Sequence, residues 1–312
     1  MRTVYLDGRF VPESEAKVSI YSLDVMQSAA AFEMTRSFNG VPFKLREHLD
    51  RLYASCAALS IPLPIEGHHT LQYLCEEELP RRNDHGPGEE HRLLIVVSPG
   101  CAPMYRELDG VIPHPFVYIA DFPLRYTVAG VGKYFTEGVA LSWSAVRQIP
   151  SACLPSQAKH RSRLHFHLAQ QQAPPQTWPL MLDVTGRYVT ECPGANLIIV
   201  RGSRLYCANY NALPGISQQT VAELMASMGY VVIWGPVTKE DLLKADEVWI
   251  SGTPFCVLAA SRLEGTEFQR TVYETMLAAW NARVGLDIAA QIQEWDAQRT
   301  DPTESRTDLA VR

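Results

Sequence analysis

Phe32-Glu33-Met34-Thr35-Arg36-Ser37-Phe38-Asn39-Gly40-Val41-Pro42-Phe43-Lys44-Leu45-Arg46-Glu47-His48-Leu49-Asp50-Arg51-Leu52 is the stretch on which the reading of this chain turns. Asn39-Gly40 separates two runs rich in apolar residues and predicts a tight hairpin, because the favoured two-residue turn needs positive φ at both central positions. Leu45, Leu49, Leu52, Cys56 and Leu59 then recur at helical spacing and predict a helix over 45–59. Strand alternation places Ala30, Phe32, Met34 and Arg36 on one face.

Outward from this stretch, Val4–Leu6 and Arg9–Pro12 flank Asp7-Gly8 as a small hairpin. A second helix is expected over His68–Leu79, a polar loop over Pro80–His91, and buried strands over Leu93–Val97 and Phe116–Ala120. Pro and Gly interrupt the pattern between Asp121 and Gly138. Beyond them strands are expected at Val139–Trp143, Leu180–Asp183, Ala195–Arg201, Val231–Trp234 and Glu247–Ile250. Helices are expected at about Ser162–Gln172, Gly215–Met228, Glu240–Lys244 and Phe268–Val284. The organisation expected is a small α+β domain over 1–125, a linker over 126–138, a larger domain over 139–290, and a polar tail over 291–312 without fixed structure.

The 312 residues carry 28 Lys plus Arg against 34 Asp plus Glu, a formal charge of −6. No basic excess marks a nucleic-acid footprint, and no apolar run reaches the ~18 residues of a membrane span. The N-terminus has one basic residue and no apolar core segment, so no signal peptide is expected. Seven cysteines without a Cys-x-x-Cys pair read as reduced thiols of a cytoplasmic protein. His165-x-His167 does not share a helix face, and no metal site is expected.

Several short motifs carry little. Ser156-Gln157-Ala158-Lys159 matches the Ser-x-x-Lys acyl-enzyme pattern without its companion motifs. Gly130-Val131-Gly132 begins a dinucleotide fingerprint that Phe135 ends, and Tyr134 stands where a phosphate loop needs Ser or Thr. Lys159 is different. It is one of six lysines, follows a loop stiffened by Pro150 and Pro155, and precedes a helix. A lysine so placed is either a Schiff-base nucleophile or a surface residue beside His160 and Arg161. Gly215-Ile216-Ser217 opens a helix whose free amides suit a phosphate.

In order and spacing, Phe32-Glu33 through Arg36 with Asn39-Gly40, His48-Leu49-Asp50-Arg51-Leu52, Lys159, Thr190-Glu191 with Asn196, Leu213–Ser217, Ala245–Val248 and Ser251-Gly252-Thr253 together resemble the class IV aminotransferases. These are the fold-type IV enzymes of pyridoxal 5′-phosphate, among them branched-chain and D-amino acid aminotransferases, R-selective amine transaminases and aminodeoxychorismate lyases. The resemblance spans about Val4 to Leu258. It implies a two-domain α/β (α+β) fold like that of D-amino acid aminotransferase: a small α+β N-terminal domain, a larger C-terminal domain with a barrel-like sheet, and the cofactor between them. It also implies a homodimer, with an amino acid or amine as donor and a 2-oxo acid as acceptor.

By that resemblance Lys159 is the Schiff-base and proton-transfer lysine, and Glu191 pairs with the pyridine nitrogen. Arg51 clamps the phosphate, helped by Ile216 and Ser217 amides and the Thr253 hydroxyl. Asn196 supports the loop of Glu191 or touches the cofactor directly. Gln27, Phe32 and Arg36 are candidate substrate residues. Plainer readings stand beside these: a surface ion pair of Arg51 with Glu47 or Asp50, a simple helix cap at Ser217, a strand-end turn at Thr253, and an interfacial salt bridge at Arg36.

The chain also departs from the family pattern. Ser28–Ala31 replaces a common Gly-Asp-Gly, and Leu164 stands where a cofactor-contacting tyrosine is usual, leaving Arg161, Arg163 or His165 to substitute. Pro99 replaces a common arginine, as does Gln218. Transamination is the leading reading. Pyruvate elimination from aminodeoxychorismate, a relative without turnover, and a Ser156-Lys159 hydrolase are the alternatives.

Overall fold

The computed structural model describes residues 2–63, 67–86 and 88–298. The chain folds as two compact units. The first comprises the residues up to Leu124 together with Ala158–Arg163; the second comprises Arg125–Gln157 and the chain from Leu164 onward.

In the first unit β1 (Thr3–Leu6) and β2 (Arg9–Pro12) form the N-terminal hairpin, followed by the single turn α1 (Leu23–Met26). β3 (Ala31–Phe38) and β4 (Val41–Pro42) flank Asn39-Gly40, whose φ values of 52° and 77° are those the turn requires. α2 (Leu45–Ala58) and α3 (Gly67–Tyr73) follow, the latter running through a π-turn at Leu74–Glu78 into α4 (Leu79–Arg82). β5 (His91–Ser98) and β6 (Phe116–Pro123) complete an antiparallel sheet of order β2-β1-β6-β5-β3-β4.

One face of this sheet carries the core. Leu45, Leu49, Leu52 and Cys56 of α2 and Leu71, Leu74, Cys75 and Leu79 pack on Ala31, Leu93, Ile95, Val97, Val117 and Ile119. The opposite face carries Ala30, Phe32 and Val96 with Met34, Leu94 and Tyr118.

Glu33 faces the core side and is fully buried. Arg51 of α2 donates to it from Nε at 2.6 Å and Nη2 at 2.9 Å, and His48 Nδ1 lies 2.7 Å away. Burial alone would raise the Glu33 pKa. The charges of Arg51 and His48 and their hydrogen bonds overcome that and hold it far below the ordinary carboxylate range.

The second unit begins with α5 (Lys133–Glu137) and β7 (Val139–Trp143), then α6 (Leu164–Gln172), β8 (Trp178–Leu180), β9 (Tyr188–Val189), β10 (Glu191–Cys192), β11 (Ala195–Arg201) and β12 (Arg204–Ala208). It continues with α7 (Ile216–Ser227), β13 (Val231–Gly235), β14 (Val237–Thr238), α8 (Lys239–Leu243), β15 (Glu247–Gly252), β16 (Cys256–Leu263), β17 (Thr266–Glu267), α9 (Thr271–Val284) and α10 (Ile288–Ala297). The main sheet runs β13-β12-β11-β15-β16-β7-β8. Past β8, the Met181 N–H donates to Glu191 O at 3.1 Å and the Thr190 N–H to Met181 O at 3.0 Å. Since β10 also pairs with β11, the hydrogen-bonded path returns to β11, and the expected barrel-like sheet is present.

Three features differ from the sequence reading. Residues 126–138, expected as a linker, contain α5. Ala158–Arg163 belongs to the first unit rather than with its flanking residues, because its backbone bonds to β3. Residues 291–297, expected in a tail without structure, lie in α10, where Ile288 and Ile292 are buried. There Asp296 accepts the N–H groups of Gly130 and Gly132 at 2.7 and 2.8 Å. No local pattern announces that contact, which joins residues far apart along the chain. The remaining tail residues, 299–312, lie outside the described residues. Among the described residues no helix is long and apolar enough to cross a membrane.

Glu33→Gln leaves Arg51 without its buried counter-charge and is expected to cost about 3–5 kcal/mol at neutral pH. The carboxylate's contribution is complete above its unfolded pKa of roughly 4.3 and is lost as pH falls below it. Urea unfolding of the two proteins at pH 7 and at pH 4 or lower checks this: the gap narrows in acid.

Candidate active site

Lys159 is held through its backbone. Its N–H donates to Ser55 Oγ of α2 at 2.9 Å, and its carbonyl accepts the Phe32 N–H at 3.0 Å. Arg161 N–H donates to Ala30 O at 3.0 Å, and Ala31 bridges His160. The segment therefore lies as an extended edge along β3. In extended chain, residues 159, 161 and 163 share a face, and all three turn their cations to Phe32. Lys159 Nζ is 4.9 Å from the ring centroid, Arg161 Cζ 4.5 Å and Arg163 Cζ 5.7 Å. Such contacts contribute about 0.5–2 kcal/mol each and fix the approach of the charge.

Further along the same sheet face stand Arg36 and Arg92, directly opposed across β3 and β5. Arg36 is buried, donates from Nε to Ser37 O at 3.1 Å and lies 4.0 Å from the Phe38 ring centroid. Arg92 is 8% exposed, and its Nε has no hydrogen-bond partner among the described residues. Burial and the charges of Arg163 and Arg36 press its pKa well below the usual arginine value. A buried cation with cationic neighbours is costly until an anion joins it. Burial and the charges of Arg163 and Lys159 likewise keep His160 below its ordinary pKa.

In the second unit Glu191 is buried in β10, one of the strands through which the barrel path closes, rather than on an exposed turn, and accepts from Gln148 Nε2 at 2.8 Å. Opposite it in register is Asn196. The Asn196 side chain donates to Leu213 O at 2.6 Å, so it fixes the loop that leads to α7. Gly215 must be glycine there, because a Cβ would come within 1.9 Å of Asn196 Oδ1. α7 starts at buried Ile216 and Ser217, and among the described residues no side chain caps it. Uncapped amides at a buried helix start await an acceptor. Thr253 is half-buried in the turn between β15 and β16, and beside it Ser251 Oγ is buried with no partner among the described residues.

Not every candidate holds its expected place. The two Arg51 nitrogens of its fork face Glu33, neither Glu47 nor Asp50, so a phosphate reaching those atoms competes with a buried carboxylate. Gln27 is exposed at the end of α1. Leu164, where a tyrosine is usual, is 70% exposed. Gln218 spans Leu197 O and Ala208 O and braces α7 against the sheet. Ser156 Oγ is 2.7 Å from Ser151 Oγ, which gives the hydrolase reading no support. Sequence reasoning misses Arg92 and Gln148. Arg92 is recoverable from its alternation with Leu94 and Val96; nothing local marks Gln148.

Taken unit by unit, the donor types suit pyridoxal phosphate. The first unit offers a lysine amine on an aromatic ring; the second offers a buried carboxylate for a ring nitrogen and a buried helix start for a dianion. The comparisons agree. The model of the family described as amino-transferase class IV matches residues 30–263. A putative branched-chain-amino-acid aminotransferase of Methanocaldococcus jannaschii is 28% identical over 84% of this chain and 88% of its own. A D-alanine aminotransferase of Listeria innocua is 26% identical over 85% and 88%. The crystal structure of the T.th. branched-chain amino acid aminotransferase with pyridoxamine 5′-phosphate superposes with a TM-score of 0.76 at 24% identity, over 95% of this chain and 97% of the other. With the lysine, carboxylate and helix start in family order and the family model spanning both units, the chain belongs to the class IV aminotransferases, enzymes of pyridoxal phosphate.

Proposed function

We propose that the chain moves an amino group between an amino acid and a 2-oxo acid, with Lys159 as the residue that holds and transfers the proton. The observation that carries this reading is the immobilised Lys159 segment: three backbone bonds and an aromatic floor hold an otherwise flexible amine in one place. Bound pyridoxal phosphate would supply an electron-accepting ring that stabilises the charge left when the substrate Cα loses its proton. Glu191 would pair with the ring nitrogen and keep it protonated, with its carboxylate oriented by Gln148. Ile216 and Ser217 offer amides to the phosphate, with Arg51 and Thr253 as further donors. Asn196 supports this site by holding the loop before α7.

For substrate recognition, Arg92 and Arg36 are the groups we assign to a substrate carboxylate, with Arg161 and Arg163 adding positive potential above Phe32. A 2-oxo acid with a second carboxylate matches this charge better than a monocarboxylate. Gln27, exposed on α1, finds no support in the first unit as a substrate residue. We further read the protein as a cytoplasmic homodimer. All seven cysteines are free thiols, as a reducing compartment favours. Ile20, Val25 and Met104 of the first unit are exposed apolar side chains of the kind an isologous contact covers.

Two experiments test the reading. The purified wild type is expected to absorb in the visible as a lysine-bound pyridoxal enzyme, and an amino donor is expected to bleach that band. Lys159→Ala loses the band and about 10³-fold or more of the activity. Pyruvate release without an acceptor would point to elimination instead. Arg92→Gln is expected to raise KM for a dicarboxylic 2-oxo acid about tenfold or more, as loss of a charge-assisted hydrogen bond implies, while pyruvate kinetics and kcat change little. Equal losses on both acceptors would place Arg92 on the carboxylate they share, and no change with either would remove it from substrate binding.

A further inference from the structure

We propose that His85, His91 and Asp121 form a binding site for one divalent cation of the zinc type, on the core face of the first unit's sheet. His85 lies on the loop before β5, His91 opens β5, and Asp121 is in β6. One donor atom from each lies within 4.8 Å of the others. His91 Nδ1 is 2.7 Å from Asp121 Oδ1 and His85 Nε2 is 3.0 Å from Oδ2, with the imidazole rings stacked at 5.0 Å and 20°. The side chains of His91, His85 and Asp121 are 3%, 8% and 0% exposed, so they are desolvated except at the His85 edge.

His91 Nε2 lies 3.1 Å from Gly40 O, and a carbonyl only accepts, so Nε2 carries the hydrogen. In the neutral ring Nδ1 then presents a lone pair to a carboxylate oxygen 2.7 Å away. Two such atoms stay together only with a cation between them, either a proton or a metal ion. A backbone carbonyl on the far nitrogen is the usual second partner of a metal-bound histidine, fixing tautomer and ring plane. Two imidazoles and one carboxylate with an open fourth position are a nitrogen-rich set that favours zinc-type ions over calcium or magnesium. Bonds of about 2.0–2.1 Å in a tetrahedron place donor atoms roughly 3.4 Å apart. The contacts to Asp121 must therefore open by about half an ångström while the widest donor separation, within 4.8 Å, closes, and His85, on a loop, can move. An ion there would tie the His85 loop, β5, β6 and the Asn39-Gly40 turn together.

The test uses the cofactor-loaded protein, stripped with chelator and titrated with Zn²⁺, then with Co²⁺ as a chromophoric substitute. The expected result is one tight equivalent per chain, a tetrahedral cobalt absorption, and a zinc-dependent rise in melting temperature. His85→Ala, on the loop at the solvent edge of the cluster, is expected to fold as the wild type does, to lose about tenfold or more in zinc affinity and to lose the cobalt band. His114→Ala, whose ring pairs with Asp7 at an exposed site, controls for adventitious binding and changes nothing. Absence of a stoichiometric site in the wild type, or equal binding by His85→Ala, would overturn the proposal and leave a proton-bridged network.

Discussion

The carboxylate of Glu33 is the constraint on which the first unit depends. It faces the core from the middle of β3 and is neutralised by α2, through the Arg51 fork and His48. Strand and helix are thereby locked in one register, since a shift of either leaves a charge buried alone. The consequence reaches the lysine. Ser55, one turn beyond Arg51 on α2, takes the Lys159 N–H, and Phe32, the neighbour of Glu33, binds the Lys159 carbonyl. Strand alternation does the rest. With Glu33 turned to the core, Phe32 must turn to the opposite face, where its ring receives the lysine and two arginines.

The second unit solves a parallel problem with backbone pairing. Glu191 is buried because β10 closes the path between β8 and β11, and its donor Gln148 comes from a loop far away in sequence. Asn196 opposite it braces the loop before α7, and Gly215 lets that loop pass close by. Among the described residues no side chain caps the start of α7. A second buried carboxylate, Glu247, shows the contrast: it caps α9 by accepting Val272 and Tyr273 N–H groups at 2.6 and 3.0 Å. One helix start is capped by a buried carboxylate, whereas among the described residues the other has no side-chain cap.

Local signals make most elements legible in the sequence. Asn39-Gly40, the Leu45–Leu52–Cys56 stripe and the run Ala195–Arg201 each declare themselves within a few residues, and the order of Lys159, Glu191 and Gly215-Ile216-Ser217 carries the family. What stays hidden depends on partners distant along the chain. Arg51 meets Glu33, 18 residues away, whereas helix spacing alone points to Glu47 or Asp50. Ala158–Arg163 joins the first unit through bonds to β3, which no local pattern announces. Arg92 reads as one charge in an apolar strand until Arg36 and Arg163 are seen beside it. α10 resembles a polar tail because Gln, Glu and Asp dilute its apolar stripe, while Ile288 and Ile292 suffice to dock it.

The central claim is that one amine, that of Lys159, is the covalent anchor among six lysines. Borohydride reduction of the protein with pyridoxal phosphate, followed by peptide mass mapping, tests it most directly. The expected result is a single stable phosphopyridoxyl adduct, on the peptide that contains Lys159. An adduct on Lys17, Lys44, Lys133, Lys239 or Lys244 instead, or no adduct at all, would contradict it.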